Sequence, residues 1–269
     1  FDSQPHTNSM KTPALRPFLD SVGHVVHYLN TIAVGLAGVE SGVCTKPETL
    51  DISWNPKDIK SSSRGARAFA LNSAIVFLAE ELGAYTNTIL GCPAFKSIAL
   101  PKDPDRAQKF IALHQHLELP EDQLFLGCLV AIHWRNRIIH KRSNAGLTKT
   151  QEAALISDYS SVLYADYKHL DAKLLLEHFS KKLPSLKDVS SLIALSINCV
   201  RRIEEAIPEP KSSQDVEDWL SHLKLSSDLD RVIRASVNTP RPEQAVTNFF
   251  ITRCPELAGA YALFCMPKG

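Results

Sequence analysis

The chain has 269 residues and a hydrophobic fraction of 44%, enough for a substantial core in one large helical domain or two smaller ones. Lys and Arg total 30 against 29 Asp and Glu, so global charge does not mark a nucleic-acid binder and any such property must rest on a local patch. There is no Gly-rich phosphate loop, no dinucleotide fingerprint, no zinc-type His-Glu-x-x-His and no Cys-x-x-Cys pair among Cys44, Cys92, Cys128, Cys199, Cys254 and Cys265.

Residues 1–9 are polar and patternless and lack an apolar signal core, so they read as preceding a native start at Met10. Apolar residues from Leu15 through Phe18, Val22, Val25, Leu29 and Leu36 fit one face of a helix, ended by Gly38 and Ser41-Gly42. Residues 43–62 read as a long loop with a short strand near Trp54. A second helix is expected over 64–90, apolar until Glu80 and Glu81 and stopped by Gly91 and Pro93. No apolar run is read as membrane-spanning, so the expectation is a soluble cytoplasmic protein with no membrane partner. The cysteines then read as free thiols in a reducing compartment.

Asp103-Pro104 reads as the start of a third helix carrying Phe110 and Leu113. Pro120-Glu121-Asp122 opens a fourth, which runs through Leu126, Val130 and Trp134 until Ser143-Asn144-Ala145-Gly146 ends regular structure. Thr148 or Thr150 caps the next, and one amphipathic helix is expected over about 167–179. A strong helical pattern covers 188–207, and Pro208 to Ser213 reads as the clearest linker. Three shorter helical patterns follow near 216–223, 229–237 and 244–253. The period-2 alternation of strands is nearly absent, so the fold class is all-α.

The most informative stretch is Trp134-Arg135-Asn136-Arg137-Ile138-Ile139-His140-Lys141-Arg142. It puts cations, an amide and a histidine at an expected helix C-terminus, where the partly negative carbonyls favour positive charge. No acid lies between Asp122 and Glu152, whereas Arg135, Arg137, Lys141, Arg142 and Lys149 do. Such a region attracts phosphate, and an Arg beside a His is the minimum kit for metal-free RNA cleavage. His24 with His27, and His114 with His116, are incomplete as metal sites.

Arg135 and His140 enclose four residues, with the polar Asn136 directly after the Arg. This arrangement resembles the HEPN superfamily, the helical domains of many RNase toxins and phage-defence proteins, over about residues 13–180. The resemblance implies a HEPN-like helical bundle at 13–180 with a C-terminal helical extension at 185–269. It implies a homodimer whose two motifs line one composite cleft, RNA as the partner, and no metal or other cofactor. In such a cleft His140 would move protons at the ribose 2′-OH or the leaving oxygen, and Arg135 would stabilise charge on the phosphorane. Asn136 would orient RNA or His140, while Arg137, Lys141 and Arg142 would bind RNA. Glu80 or Glu81 would orient Arg135 or His140.

Some HEPN toxins carry His-x-Tyr, the target of a nucleotidyltransferase antitoxin; Arg142 stands at that position here, which argues against that one type of antitoxin control, while an antitoxin or regulatory protein remains an expected partner. Two other readings stay open. Arg135 could be a structural cation paired with Glu80 or Glu81, and His140 a helix cap. The chain would then be a non-catalytic HEPN-like module for dimerisation or for RNA or protein interaction.

Overall fold

Asp105, Asp122, Thr148, Asp171 and Ser212 each accept a hydrogen bond from the first turn of the helix that follows, and these caps punctuate the chain. In the computed structural model, which describes residues 11–140, 142–257, 259 and 260, the fold is all-α. Met10, Lys141 and Cys265 lie outside the described residues. The helices are α1 (Leu15–Glu40), α2 (Ile59–Leu90), α3 (Arg106–His116), α4 (Gln123–Ile139), α5 (Lys149–Ser157), α6 (Ser160–Asp166), α7 (Ala172–Lys181), α8 (Leu186–Ala206), α9 (Ser213–His222), α10 (Ser226–Ser236) and α11 (Pro242–Arg253). Single 3-10 turns occur at Pro93–Phe95 and Pro255–Leu257, and no strand is present among the described residues, near Trp54 or elsewhere.

Several boundaries differ from expectation for local reasons. α2 begins at Ile59, five residues early, because Asp58 accepts from the Lys60 N–H and draws the serine run into the helix. Asp105, not Asp103, caps α3 through a capping box with Gln108, while Asp103 adopts a positive φ of 53°. The helix expected over 167–179 is α7, which starts only at Ala172 because Lys168 and His169 ahead of it take left-handed conformations, and the short α6 before that break was not expected. α4 stops at Ile139 rather than at residue 143.

By length and composition two helices are apolar enough to cross a bilayer, which corrects the expectation of no such run. They are α1, with a mean hydropathy of 1.3 over its most apolar window, and α2, with 1.2. The α2 window has 44% of its residues buried, as in a core helix, whereas the α1 window has only 17%.

The chain groups into two compact units, each built from separated stretches. One comprises Arg16–Ala84 and Pro120–Cys199. The other comprises the described parts of Phe1–Leu15 and Val200–Gly269 together with Tyr85–Leu119. α2 and α8 contribute residues to both.

In the first unit, α4 is buried without interruption from Leu124 to Ile132, which makes it the central helix. α8 lies so close that a Cβ on Gly127 would fall 2.8 Å from Leu195 Cδ1, and Cys128 Sγ is 3.7 Å from Ser196 Oγ. α5 packs on α4, α6 and α7.

In the second unit, α10 and α11 form a distinct C-terminal helix pair, and α9 packs on the 3-10 turn at Pro93–Phe95. Its core holds Phe110, Leu113, Ile203, Trp219 and Phe250. A buried carboxylate, Glu204, accepts from the Thr12 N–H and Thr12 hydroxyl, both at 2.6 Å, and from the Tyr85 hydroxyl at 2.8 Å.

Candidate site at the C-terminal end of α4

Burial and polarity change together at Trp134. This indole is fully buried and meets Phe179 edge-on, with centroids 5.6 Å apart. From Arg135 onward the helix emerges, and its side chains are half-buried and then exposed.

Arg135 turns toward α2. Its Nε donates to Glu80 Oε1 at 2.9 Å, an Nη nitrogen reaches the same oxygen at 2.8 Å, and the other Nη donates to Asn136 Oδ1 at 3.2 Å. A guanidinium has five N–H groups. Three are engaged in these contacts, which leaves one on each Nη for a further acceptor. The structure thus brings together Arg135, Asn136 and Glu80. Glu81, the other acid considered, is half-buried one residue further along α2.

His140 is the C-cap residue of α4, and its side chain is exposed. Its N–H still closes on Asn136 O at 2.9 Å, so its Cα remains in helical register; the chain leaves the helix beyond it, with ψ at 96°. Five residues at 3.6 per turn separate Arg135 and His140 by roughly 140° around the axis. Within one chain the two therefore point in different directions.

The cations divide. Arg137, expected on a basic rim, is half-buried and structural in its contacts. Its Nε donates to Ala145 O at 2.6 Å, and its guanidinium carbon lies 4.0 Å from the Phe179 ring centroid. Burial holds its pKa below the usual range, against the pull of Glu152. Arg142 and Lys149 are exposed. A stretch that is acid-free in sequence therefore meets two acids in space, Glu80 at Arg135 and Glu152 at Arg137.

In comparisons with known proteins, no family model, curated protein or solved structure matches the chain.

The remaining histidine pairs pack against aromatic rings. His24 stacks on Tyr28, His114 is buried beside Phe110, and His116 meets Phe95 edge-on. No group of three or more His, Cys, Asp or Glu side chains among the described residues could hold a metal ion.

Sequence reading missed one further dyad. His178 Nδ1 lies 2.6 Å from Asp188 Oδ2, and the same oxygen accepts from the Ser185 N–H at 2.7 Å. Asp188 thereby joins the end of α7 to the start of α8. The serine-acid spacing of a capping box at Ser185 and Asp188 was the available signal.

Proposed function

We propose that the chain is a metal-independent, HEPN-type endoribonuclease that cleaves RNA with Arg135 and His140 drawn from two copies of the motif. The observation that carries this reading is an anchored Arg135, with N–H groups left for an acceptor, five residues before an exposed His140. The offset around α4 favours two chains over one. In a two-fold arrangement the His140 of one copy approaches the Arg135 of the other.

Each residue then has a separate task. Glu80 and Asn136 fix the guanidinium plane, and the remaining N–H groups meet the non-bridging phosphate oxygens as charge builds on them. His140 takes the 2′-OH proton or returns one to the 5′-oxygen. The products are a 2′,3′-cyclic phosphate and a 5′-hydroxyl, and DNA resists because it has no 2′-OH. Exposed Arg142 and Lys149 hold the strand without reading its sequence. Such an activity suits a toxin or phage-defence effector restrained by a partner.

A second reading rests on the same ion pair. Arg135 is already neutralised by Glu80, which fits a HEPN-like module that dimerises or binds RNA without cutting it. Purified protein incubated with RNA in EDTA separates the two. The nuclease cuts, and His140→Ala lowers the rate on the order of a hundredfold or more while helix content stays unchanged. Cleavage that survives His140→Ala overturns the assignment. A gel shift without cleavage establishes the module.

A further inference from the structure

We propose that the cavity bordered by α1, α2 and the start of α8 binds a small amphiphilic monoanion, an alkyl-chain carboxylate of the fatty-acid type, with its head at Arg67 and its tail along α1. This site uses none of Arg135, Asn136 or His140 and stands whether or not the chain cuts RNA.

The walls set the chemistry of the tail. The cavity has a volume of about 400 Å³, within the roughly 300–1,000 Å³ range of small-ligand sites. Ile32, Ala33 and Leu36 of α1, Leu71 of α2 and Leu186 of α8 border it. Ile32 is 44% exposed and Leu186 39%, so these walls still meet water that an alkyl chain would displace.

One cation sets the chemistry of the head. Arg67 is the single charged side chain bordering the cavity among the described residues. One of its Nη nitrogens lies 3.6 Å from Glu40 Oε2, beyond hydrogen-bond distance. No N–H of this guanidinium makes a hydrogen bond among the described residues. In Arg135 and Arg137, by contrast, Nε is already committed to Glu80 and to Ala145 O. Arg67 therefore offers a whole planar fork, the shape that matches a carboxylate edge to edge.

Two further features favour an anion at that point. α2 carries Lys60, Arg64 and Arg67 and no acid before Glu80, so the field along its first half is positive. Ser63, one helical turn before Arg67, is only 2% exposed, and its hydroxyl has no hydrogen-bond partner. Buried hydroxyls are rarely left in that state. Side chains four apart on a helix are neighbours, so one carboxylate can accept from both. Glu40 restricts the head to a single charge, because a dianion would meet its carboxylate at close range.

The wall contributed by Pro184, Ser185 and Leu186 is fixed in advance. The Ser185 N–H donates to Asp188 Oδ2 at 2.7 Å, and the Asp188 N–H donates back to Ser185 Oγ at 3.1 Å. His178 Nδ1 holds the same carboxylate oxygen at 2.6 Å. The wall thus keeps its shape before a ligand arrives, which lowers the ordering cost of binding.

Isothermal titration calorimetry of the full chain with monomeric dodecanoate, below its micelle concentration, tests the site. The expected result is one molecule per chain, with each methylene added between octanoate and dodecanoate tightening binding about fourfold. Dodecyltrimethylammonium, which has the same tail and a positive head, should not bind. Arg67→Gln should weaken binding on the order of tenfold or more. Glu40→Gln removes the competing acid and should tighten it. Ala33→Phe fills the cavity and should abolish binding, with thermal unfolding to check that each variant folds. The proposal is overturned by the absence of saturable dodecanoate binding, by equal affinity for the cationic amphiphile, or by an Arg67→Gln variant that binds like the wild type. It is equally overturned if the chain floats with phosphatidylglycerol vesicles but takes up no monomeric dodecanoate, since the same groups would then be a membrane contact.

Discussion

The Nε and one Nη of Arg135 converge on a single carboxylate oxygen, Oε1 of Glu80, at 2.9 and 2.8 Å. The pair is lopsided, because the Arg135 side chain is 15% exposed and that of Glu80 is 40%. Removing the acid leaves a mostly buried cation with Asn136 alone, whereas removing the cation leaves an acid that reaches water. Glu80→Ala should therefore cost about 1–3 kcal/mol in urea unfolding, and Arg135→Ala less. If Glu80 also positions Arg135 for chemistry, Glu80→Gln should lower kcat for RNA cleavage more than it changes KM. Equal stability losses in the two alanine variants would contradict the asymmetry.

Arg137 is expected to behave as a structural residue. Its Nε holds Ala145 O, its plane covers Phe179, and a Cβ on Gly146 would fall 2.9 Å from one of its Nη nitrogens. Arg137→Ala should cost about 2 kcal/mol, from a charge-assisted hydrogen bond together with a cation–π contact. Arg137→Lys should not restore it, since an ammonium lacks the planar fork. Gly146→Ala should destabilise the wild type more than it does Arg137→Ala, which thermal unfolding of the double variant reports. RNA affinity should change less than stability does.

The approach of α4 to α8 depends on an absent side chain. A Cβ at Gly127 would lie 2.8 Å from Leu195 Cδ1 and 3.1 Å from Leu195 Cβ. Gly127→Ala should therefore destabilise by about 1–3 kcal/mol through overpacking, although alanine is the better helix former. Leu195→Ala makes room, so the double variant should lose less than the sum of the two single losses. Strict additivity in denaturant unfolding would show that the contact relaxes.

Glu204 gives the protein a pH dependence of its own. Burial holds its pKa above the ordinary 4.5, and the hydrogen bonds from Thr12 and Tyr85 offset this only in part. The nearby Cys92 thiol is pushed up to about 12 by burial and by the same carboxylate. Since the folded value of Glu204 exceeds the unfolded one, its contribution to stability is fully present below about 4.5 and is lost as pH rises through the folded value. The stability difference between wild type and Glu204→Gln should thus decline with rising pH above that point. Parallel pH profiles, or a difference that grows with pH, would refute it.

Much of the helical content was legible in the chain. The caps at Asp122 and Thr148, the Pro208–Ser213 linker and the three short C-terminal helices follow from local chemistry, because a cap satisfies backbone donors within three residues. The break between α6 and α7 was not legible. Left-handed conformations at Lys168 and His169 are costly locally, and the periodic apolar pattern runs straight across them. Nor could chain order reveal that each compact unit is assembled from separated stretches of chain, since that grouping depends on contacts between residues far apart in sequence.

The linear chain by itself determined an all-α fold and the clustering of Arg135, Asn136 and His140 at one helix end. Both depend on spacing and on groups a few residues apart. Only the tertiary structure decided that Arg135 meets Glu80, that Arg137 folds back onto Phe179, and that α1 keeps an apolar face uncovered. Those outcomes depend on which helix lies beside which, and Glu80 and Arg135 stand 55 positions apart in the chain, beyond the reach of any local signal.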